Sequence, residues 1–517
     1  MSIVSLTGGQ AIRLAAAVSV VALLSACAVT PEPFTQAEFH ARAAADRAAM
    51  FKDQEPLSGT LTLEGALTRA LKYNLDRRVR MMEGALALGQ TALDRFELLP
   101  KITANAGYSG RSEANSTRSR DLYTQTTSSS NPTYSADRDS ITADLGLTWN
   151  ILDFGVSYFS ARQNADRALI AQERRRRAVQ NLAQEVRSTF WRAVAAQVLE
   201  DKVKSTVADA EKALKDAEKV EAERLRDPTD SLRVQKSLLE SIRQLEAIHQ
   251  ELTSAKAELA ALINLPPGSE FRLEAGGDMT VSTFDESLER LEELALANNP
   301  DLREQDYQSR IAVEETRKEI LKLFPGITFS LSRQYDSNSF LMENRWNEVG
   351  AKVAWNLVNL LSAPDRINFA DTAEQVATMK RIALRMAVLA QVHVVSNQFA
   401  GAVKQFQRAD RLWTIERRLA ETTTNQSRSG TQNLIEKVST ETSAIAAELR
   451  RYQTYAQFQS AFGKLQATIG ADPLPEAAAQ SLEGSSHDLQ AESGSRDMSA
   501  GLEGLFGWFA AGWESGR

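Results

Sequence analysis

Cysteine is all but missing from this chain: Cys27 is the single one in 517 residues. Disulfides are thereby excluded, and so is any metal site built on thiolates. Histidine is nearly as rare. His40, His249, His393 and His487 stand far apart, and His393 beside Val392 reads as seam packing rather than as a ligand. No His-Glu-x-x-His, Gly-x-Ser-x-Gly or phosphate-cradling glycine loop is present, so nothing points to an enzyme, a cofactor or a bound metal. Proline (13) and glycine (26) are sparse, which suits long regular elements. Past the N-terminus no stretch offers the ~20 apolar residues of a spanning helix. The net charge of −7 leaves no basic excess for nucleic acid. The run Arg174-Arg175-Arg176-Arg177 reads as a solvated helix face.

What the chain does have is a middle written twice. Asn74-Leu75-Asp76 leads to Leu98-Leu99-Pro100, and Asn299-Pro300-Asp301 leads to Leu323-Phe324-Pro325, a shift of 225. Trp149-Asn150-Ile151 returns as Trp355-Asn356-Leu357, Val186 as Val392 and Ile263 as Ile469, a shift of 206. The first copy therefore carries 19 more residues between its proline and its tryptophan. A unit of this length is no solenoid repeat; two similar halves build one body. The boundaries read as a first repeat over residues 61–270 and a second over 285–473, with a polar tail at 474–517.

The N-terminus carries an address. Arg13, the apolar run Leu14 to Leu24 and the small residues Ser25-Ala26 before Cys27 predict a secretory signal over residues 1–26. Cys27 in that position resembles a lipobox cysteine that receives a lipid, with residues 27–60 as the anchored linker. Ala28 rather than Asp after it is what outer-membrane delivery implies in lipoproteins generally.

After each corner the pattern changes from helical spacing to strict alternation. Ile102, Ala104, Ala106 and Tyr108 alternate with Thr103, Asn105, Gly107 and Ser109; Ile141 through Ile151 alternates in the same way. In the second half Ile327, Phe329 and Leu331 oppose Thr328, Ser330 and Ser332, and Val349, Val353 and Trp355 oppose Gly350, Lys352 and Asn356. Period 2 over about ten residues is a strand with one apolar and one polar face. We place the strands at 101–110, 140–152, 326–335 and 348–358. Their length suits a tilted transmembrane strand. Asp144 and Lys352 on the polar face suit a watery lumen, and Trp149 and Trp355 fall where an aromatic girdle belongs. Arg333, on the apolar side, lies late in its strand, near head groups. Four strands cannot close a barrel, and an open edge in lipid leaves backbone groups unpaired at several kcal/mol each. Barrels of about eight strands fill with side chains; three copies, giving twelve strands, leave a conduit.

The rest is helical. Val179, Leu182, Val186 and Ala193 lie on a coiled-coil-like seam in a proline-free run from Gly155 to Leu225, long enough to reach about 100 Å. A break at Arg226 to Asp230 precedes a return helix to about Ile263. The second half repeats this, with a helix to Ala420, a polar turn Glu421 to Gly430 and a return helix to Ile469. The tail ends with Leu502, Leu505, Phe506, Phe509 and Trp513 on one face of a short amphipathic helix.

Leu63-Glu64-Gly65-Ala66-Leu67, the Leu98-Leu99-Pro100 corner, the exit Leu147 to Gly155 and the turn Gly430-Thr431, with their second-half echoes, resemble the TolC-type outer-membrane efflux factors. The resemblance runs from about Leu61 to Ile469. It implies a mainly α fold with a membrane β-barrel: a homotrimer whose twelve-stranded barrel continues into a periplasmic α-helical coiled-coil tunnel. It implies a passive exit duct, opened by a periplasmic adaptor protein and energised by an inner-membrane transporter, for drug or metal efflux or type I protein secretion. Gly430 and Thr431 would form the adaptor-docking turn, while Arg224 stands at the matching position of the first copy. Glu436 would face the pore aperture, with Ser439 where the family has a second acid; otherwise Glu436 is a solvated acid at a helix start. The competing reading of the whole chain is a non-conducting periplasmic lipoprotein that spaces the envelope with its long helices.

Overall fold

The computed structural model describes residues 31–472 except 58, 119, 128–132, 224–226, 275–278, 282–283, 285 and 429–433. The signal segment 1–26, Cys27, Arg224, Gly430, Thr431 and the tail 474–517 lie outside the described residues. The chain divides into two units, residues 1–55 and 56–517.

The first unit holds helix α1 (Gln36–Met50) within what the sequence suggested was plain linker. A capping box starts it: Thr35 Oγ1 accepts from the Glu38 amide at 3.3 Å, and the Glu38 carboxylate accepts from the Thr35 amide at 2.7 Å. Those bonds hold the Glu38 pKa below its ordinary value. The Thr-x-x-Glu spacing was a legible signal.

The second unit runs β1 (Thr60–Leu61), α2 (Leu63–Tyr73), α3 (Leu75–Glu97), β2 (Lys101–Gly110), β3 (Ser116–Thr117), β4 (Thr133–Tyr134), β5 (Asp139–Asn150), α4 (Ile151–Ala222) and α5 (Pro228–Leu262). It continues with β6 (Arg272–Leu273), α6 (Leu288–Asn298), α7 (Pro300–Leu321), β7 (Gly326–Asp336), β8 (Arg345–Ala354), α8 (Leu357–Leu361), α9 (Ala363–Arg428) and α10 (Leu434–Thr468). The duplication is therefore physical. α5 and α10 coincide at both ends under the shift of 206, and α2 and α6 coincide under 225.

α4 has 72 residues, about 108 Å at 1.5 Å each. Among the described residues β2, β5, β7 and β8 form one antiparallel sheet in that order. Below it the helices lie in the order α3, α4, α7, α9, and farther down in the order α5, α4, α10, α9. The main core sits where these layers meet, around Phe190, Trp191, Leu199, Leu245, Leu259, Tyr455 and Phe458. There Trp191 meets Tyr455 edge-on, with ring centroids 4.7 Å apart. β1 pairs in parallel with β6. Gln197 completes β6, donating to Leu273 O at 2.8 Å and accepting from Leu273 N at 2.7 Å.

Several sequence expectations shift. The second strand leaves the sheet after Asn150, not at residue 152, because the Asn150 side chain accepts from the Leu152 and Asp153 amides and caps α4. The fourth strand runs from Arg345 to Ala354 rather than from 348 to 358, since Tyr335 pairs with Arg345 and Asn356 caps α8. α9 continues to Arg428 through the polar stretch expected to turn at Glu421. Thr422 and Thr423 donate to the carbonyls of Arg418 and Leu419, four residues back, which keeps both threonines inside the helix. The basic run is no free solvated face. Arg174 pairs with Glu304 at 2.6 Å and Arg177 with Asp301 at 3.0 Å, while Arg176 donates to the carbonyls of Asn298 and Gly470. It pins the first repeat to the second. His393, read as seam packing, is exposed and meets Glu292 at 2.7 Å.

Candidate functional site

The strands gather most apolar side chains on one face, in register across the sheet; Trp346, opposite Gln334, and Ala354 lie on the other. Ile102 opposes Leu147, Ala104 opposes Leu145, and Tyr108 opposes Ile141. Leu147 then opposes Leu331, and Leu331 opposes Val349. The other face carries Asn105 opposite Asp144, with Asn105 Nδ2 donating to Asp144 Oδ2 at 3.0 Å. Asp144 opposes Gln334, and Thr328 opposes Lys352. Neither face is covered: all of β2 is exposed, as are Leu145, Leu331, Val349 and Val353. A soluble sheet buries at least one face, so in one copy this sheet is unfinished.

Aromatic side chains mark both ends of the apolar face. At the helix end Trp149 opposes Phe329 and meets Phe154 edge-on. Just past β8, Trp355 Nε1 donates to Leu323 O at 3.0 Å. At the loop end stand Tyr108 and Tyr335, with the Tyr108 hydroxyl donating to Asp139 at 2.8 Å. The loop between β2 and β5, which holds the extra residues of the first repeat, leans on the short loop after β7. Ser339 Oγ donates to Asp137 at 2.9 Å, and Tyr134 packs edge-on against Phe340.

The edges carry the same message. β2 and β8 are the two edge strands, and the alternating pairings make them antiparallel to one another. α3 leads into β2 and presents Leu75, Val79, Met82, Leu86, Leu93 and Phe96 to solvent at spacings of 3, 4 and 7. α9 follows β8 and exposes Val376, Met379, Ile382 and Met386. Among the described residues α9 is the one helix long and apolar enough, by length and composition, to pass for a membrane span, contrary to the sequence reading; only 17% of that window is buried. Its exposed apolar stripe is the reason, and helical seams of this rhythm pack against other helices.

At the far end of the helices Glu436 and Ser439 share one exposed face near the start of α10. Between them Lys437 turns to Asp209 at 2.7 Å, and Val438 is fully buried against Ala210, Ala213 and Leu238. Among the described residues no cluster of His, Cys, Asp or Glu could hold a metal ion.

A pair of residues not singled out as functional proves structurally central. Asn74 and Asn299 cap α3 and α7, and each donates from Nδ2 to the last carbonyl of a returning helix: Leu262 O at 3.2 Å and Thr468 O at 2.9 Å. Their equal place in both repeats was the available signal. Nearby, Gly470 has φ +71°, and a Cβ there would run into the Asn298 carbonyl.

Residues 67–265 match the family described as outer membrane efflux protein. No curated protein matches in sequence. Three solved structures show the same fold. The Campylobacter jejuni CmeC outer membrane channel aligns with TM-score 0.62 and 12% identity, over 84% of this chain and 93% of that one. The open state of the Neisseria gonorrhoeae MtrE outer membrane channel gives 0.59 and 16%, over 81% and 94%. The outer membrane protein VceC of Vibrio cholerae gives 0.58 and 13%, over 80% and 97%. The first repeat is thus similar in sequence to the outer membrane efflux protein family, and the chain as a whole shares the fold of these channels.

Proposed function

We propose that this protein is the outer-membrane duct of a tripartite export system, working as a homotrimer. The observation that carries the reading is the uncovered four-stranded sheet with two antiparallel-compatible edges. Joining β8 of one copy to β2 of the next satisfies both backbone edges and, in three copies, closes twelve strands around a polar lumen. The same rotation brings the α9 stripe of one copy to the α3 stripe of the next, so that the barrel continues into a helical tunnel in the periplasm. With no nucleotide-binding motif in the sequence, transport is energised elsewhere, by an inner-membrane transporter coupled through a periplasmic adaptor docked at the Gly430-Thr431 turn. Cargo, whether drugs, metal ions or a secreted protein, is chosen upstream of the duct. Three copies of Glu436 form a ring of negative charge at the aperture, with Ser439 leaving that ring single. Cys27 carries the lipid anchor in the outer membrane.

Single-channel recording of the purified protein in planar bilayers tests the duct. Steady pores are expected, more often open in Glu436→Ala. Absence of conductance from both proteins rejects the duct in favour of an envelope spacer. Palmitate labelling tests the anchor: it should disappear in Cys27→Ser, and unchanged labelling would remove Cys27 from this role.

A further inference from the structure

Two arginines stand on the wrong face of the sheet for a bilayer. Arg333 occupies an apolar-face position of β7, flanked by Leu145 on β5 and Asn347 on β8. Arg345 opens β8 on that same face, opposite Tyr335. The two are diagonal neighbours on adjacent strands, within joint reach of one small anion. Both lie at the loop end, the end away from the long helices, and both are exposed.

Their surroundings orient them. Arg333 Nη1 donates to Asn347 Oδ1 at 3.2 Å, and the Arg345 guanidinium lies 5.7 Å from the Tyr335 ring centroid. Asp139, at the loop end of β5, already accepts the Tyr108 hydroxyl. If the apolar face meets lipid, as the duct reading holds, a charge in mid-bilayer is costly, whereas at head-group depth it is not. Two guanidinium forks side by side at that depth match a phosphate, which they bind by paired, charge-assisted hydrogen bonds.

We propose that Arg333 and Arg345, steadied by Asn347 and Tyr335, form a binding site on the barrel's outer wall for the phosphate of an outer-leaflet lipid head group. The lipid's acyl chains then lie along Leu331, Val349 and Val353, the exposed apolar residues farther along the same two strands. The site rests on the duct reading but is separable from it.

The test is native mass spectrometry of the assembled full-length protein in detergent, titrated with lipid A (a bis-phosphorylated diglucosamine lipid), with its dephosphorylated form, or with inorganic phosphate alone. Wild type should retain lipid A and release the dephosphorylated form. The R333Q/R345Q double variant should bind lipid A at least about tenfold more weakly, a shift of ~1.4 kcal/mol. R333K/R345K should fall between, because an ammonium lacks the fork. Equal retention of both lipids by wild type overturns the site and needs no variant to fold. Displacement of lipid A by millimolar inorganic phosphate overturns the assignment to a lipid. A protein that neither assembles nor conducts defeats the duct reading instead, an outcome distinct from assembled pores indifferent to phosphate.

Discussion

The helical waist and the strand wall of this protein satisfy their chemistry in opposite ways. At the waist Phe190, Leu199, Leu245 and Phe458 are wholly buried by elements of one chain. In the wall, residues of the same apolar character, Ile102, Leu147, Leu331 and Val349, are in register across all four strands and yet exposed. The waist is a core a single copy can complete. The wall has the alternation and edges of an uncompleted core; in the duct proposed above, its other half is lipid and sister copies. Hydrophobic residues thus stand in two settings in one chain, and burial tells them apart where composition does not.

That contrast can be broken from either side. The largest effect belongs to the waist: Leu245→Ala opens a cavity in a filled core and should destabilise the helical body by about 2–5 kcal/mol, read as a lowered midpoint in denaturant unfolding followed by circular dichroism. A loss below about 1 kcal/mol would mean the waist is not closed within one copy. Next comes the assembly seam. Leu86 on α3 is 77% exposed, so as a mere surface residue it should accept Lys within about 0.5 kcal/mol. If α9 of a sister copy covers it, Leu86→Lys forfeits the burial of a leucine, about 1.5–3 kcal/mol at each of the interfaces. Light scattering coupled to size exclusion should then show dissociated trimers with an unchanged helical spectrum. Intact trimers would move the copy–copy contact off this stripe.

Legibility in the sequence followed the same division. The shifts of 206 and 225, read from isolated pairs such as Trp149 and Trp355, became helices of matching ends. Alternation located the four strands because, away from the loop end, one face of each is apolar and the other polar. It failed at Asn150, where the pattern ran on through Ile151 while a side-chain cap had already turned the backbone into α4. The threonines after Glu421 looked like a turn, since the return bonds of Thr422 and Thr423 to helix carbonyls leave no trace in spacing. Arg174 to Arg177 looked solvated because their partners, Glu304, Asp301 and the Asn298 carbonyl, lie more than 120 residues away. Of the expected site residues, Glu436 and Ser439 do share an exposed face; the aperture proposed for them requires neighbouring copies, which no single sequence encodes as a contact.

The smallest effect sharpens the comparison inside the waist, between the two repeats. Asn299 and Asn74 make equivalent bonds, but Asn299 is 2% exposed and Asn74 is half-buried. Removing either side chain abolishes a helix cap, about 1 kcal/mol, and strands a carbonyl of the returning helix. Around Asn74 water can replace the lost donor to Leu262 O; around Asn299 the Thr468 carbonyl stays dry, which adds about 1–3 kcal/mol. Asn299→Ala should therefore destabilise more than Asn74→Ala. Hydrogen exchange reads this directly, because Asn299 Oδ1 accepts from the amides of Asp301 and Leu302 at 2.9 and 3.2 Å. Those two amides should lose protection in Asn299→Ala by more than the Arg77 amide, held by Asn74 at 3.0 Å, loses in Asn74→Ala. Equal losses would show that the repeats, symmetric in their bonds, are symmetric in their access to water as well, and that the burial difference between them carries no energy.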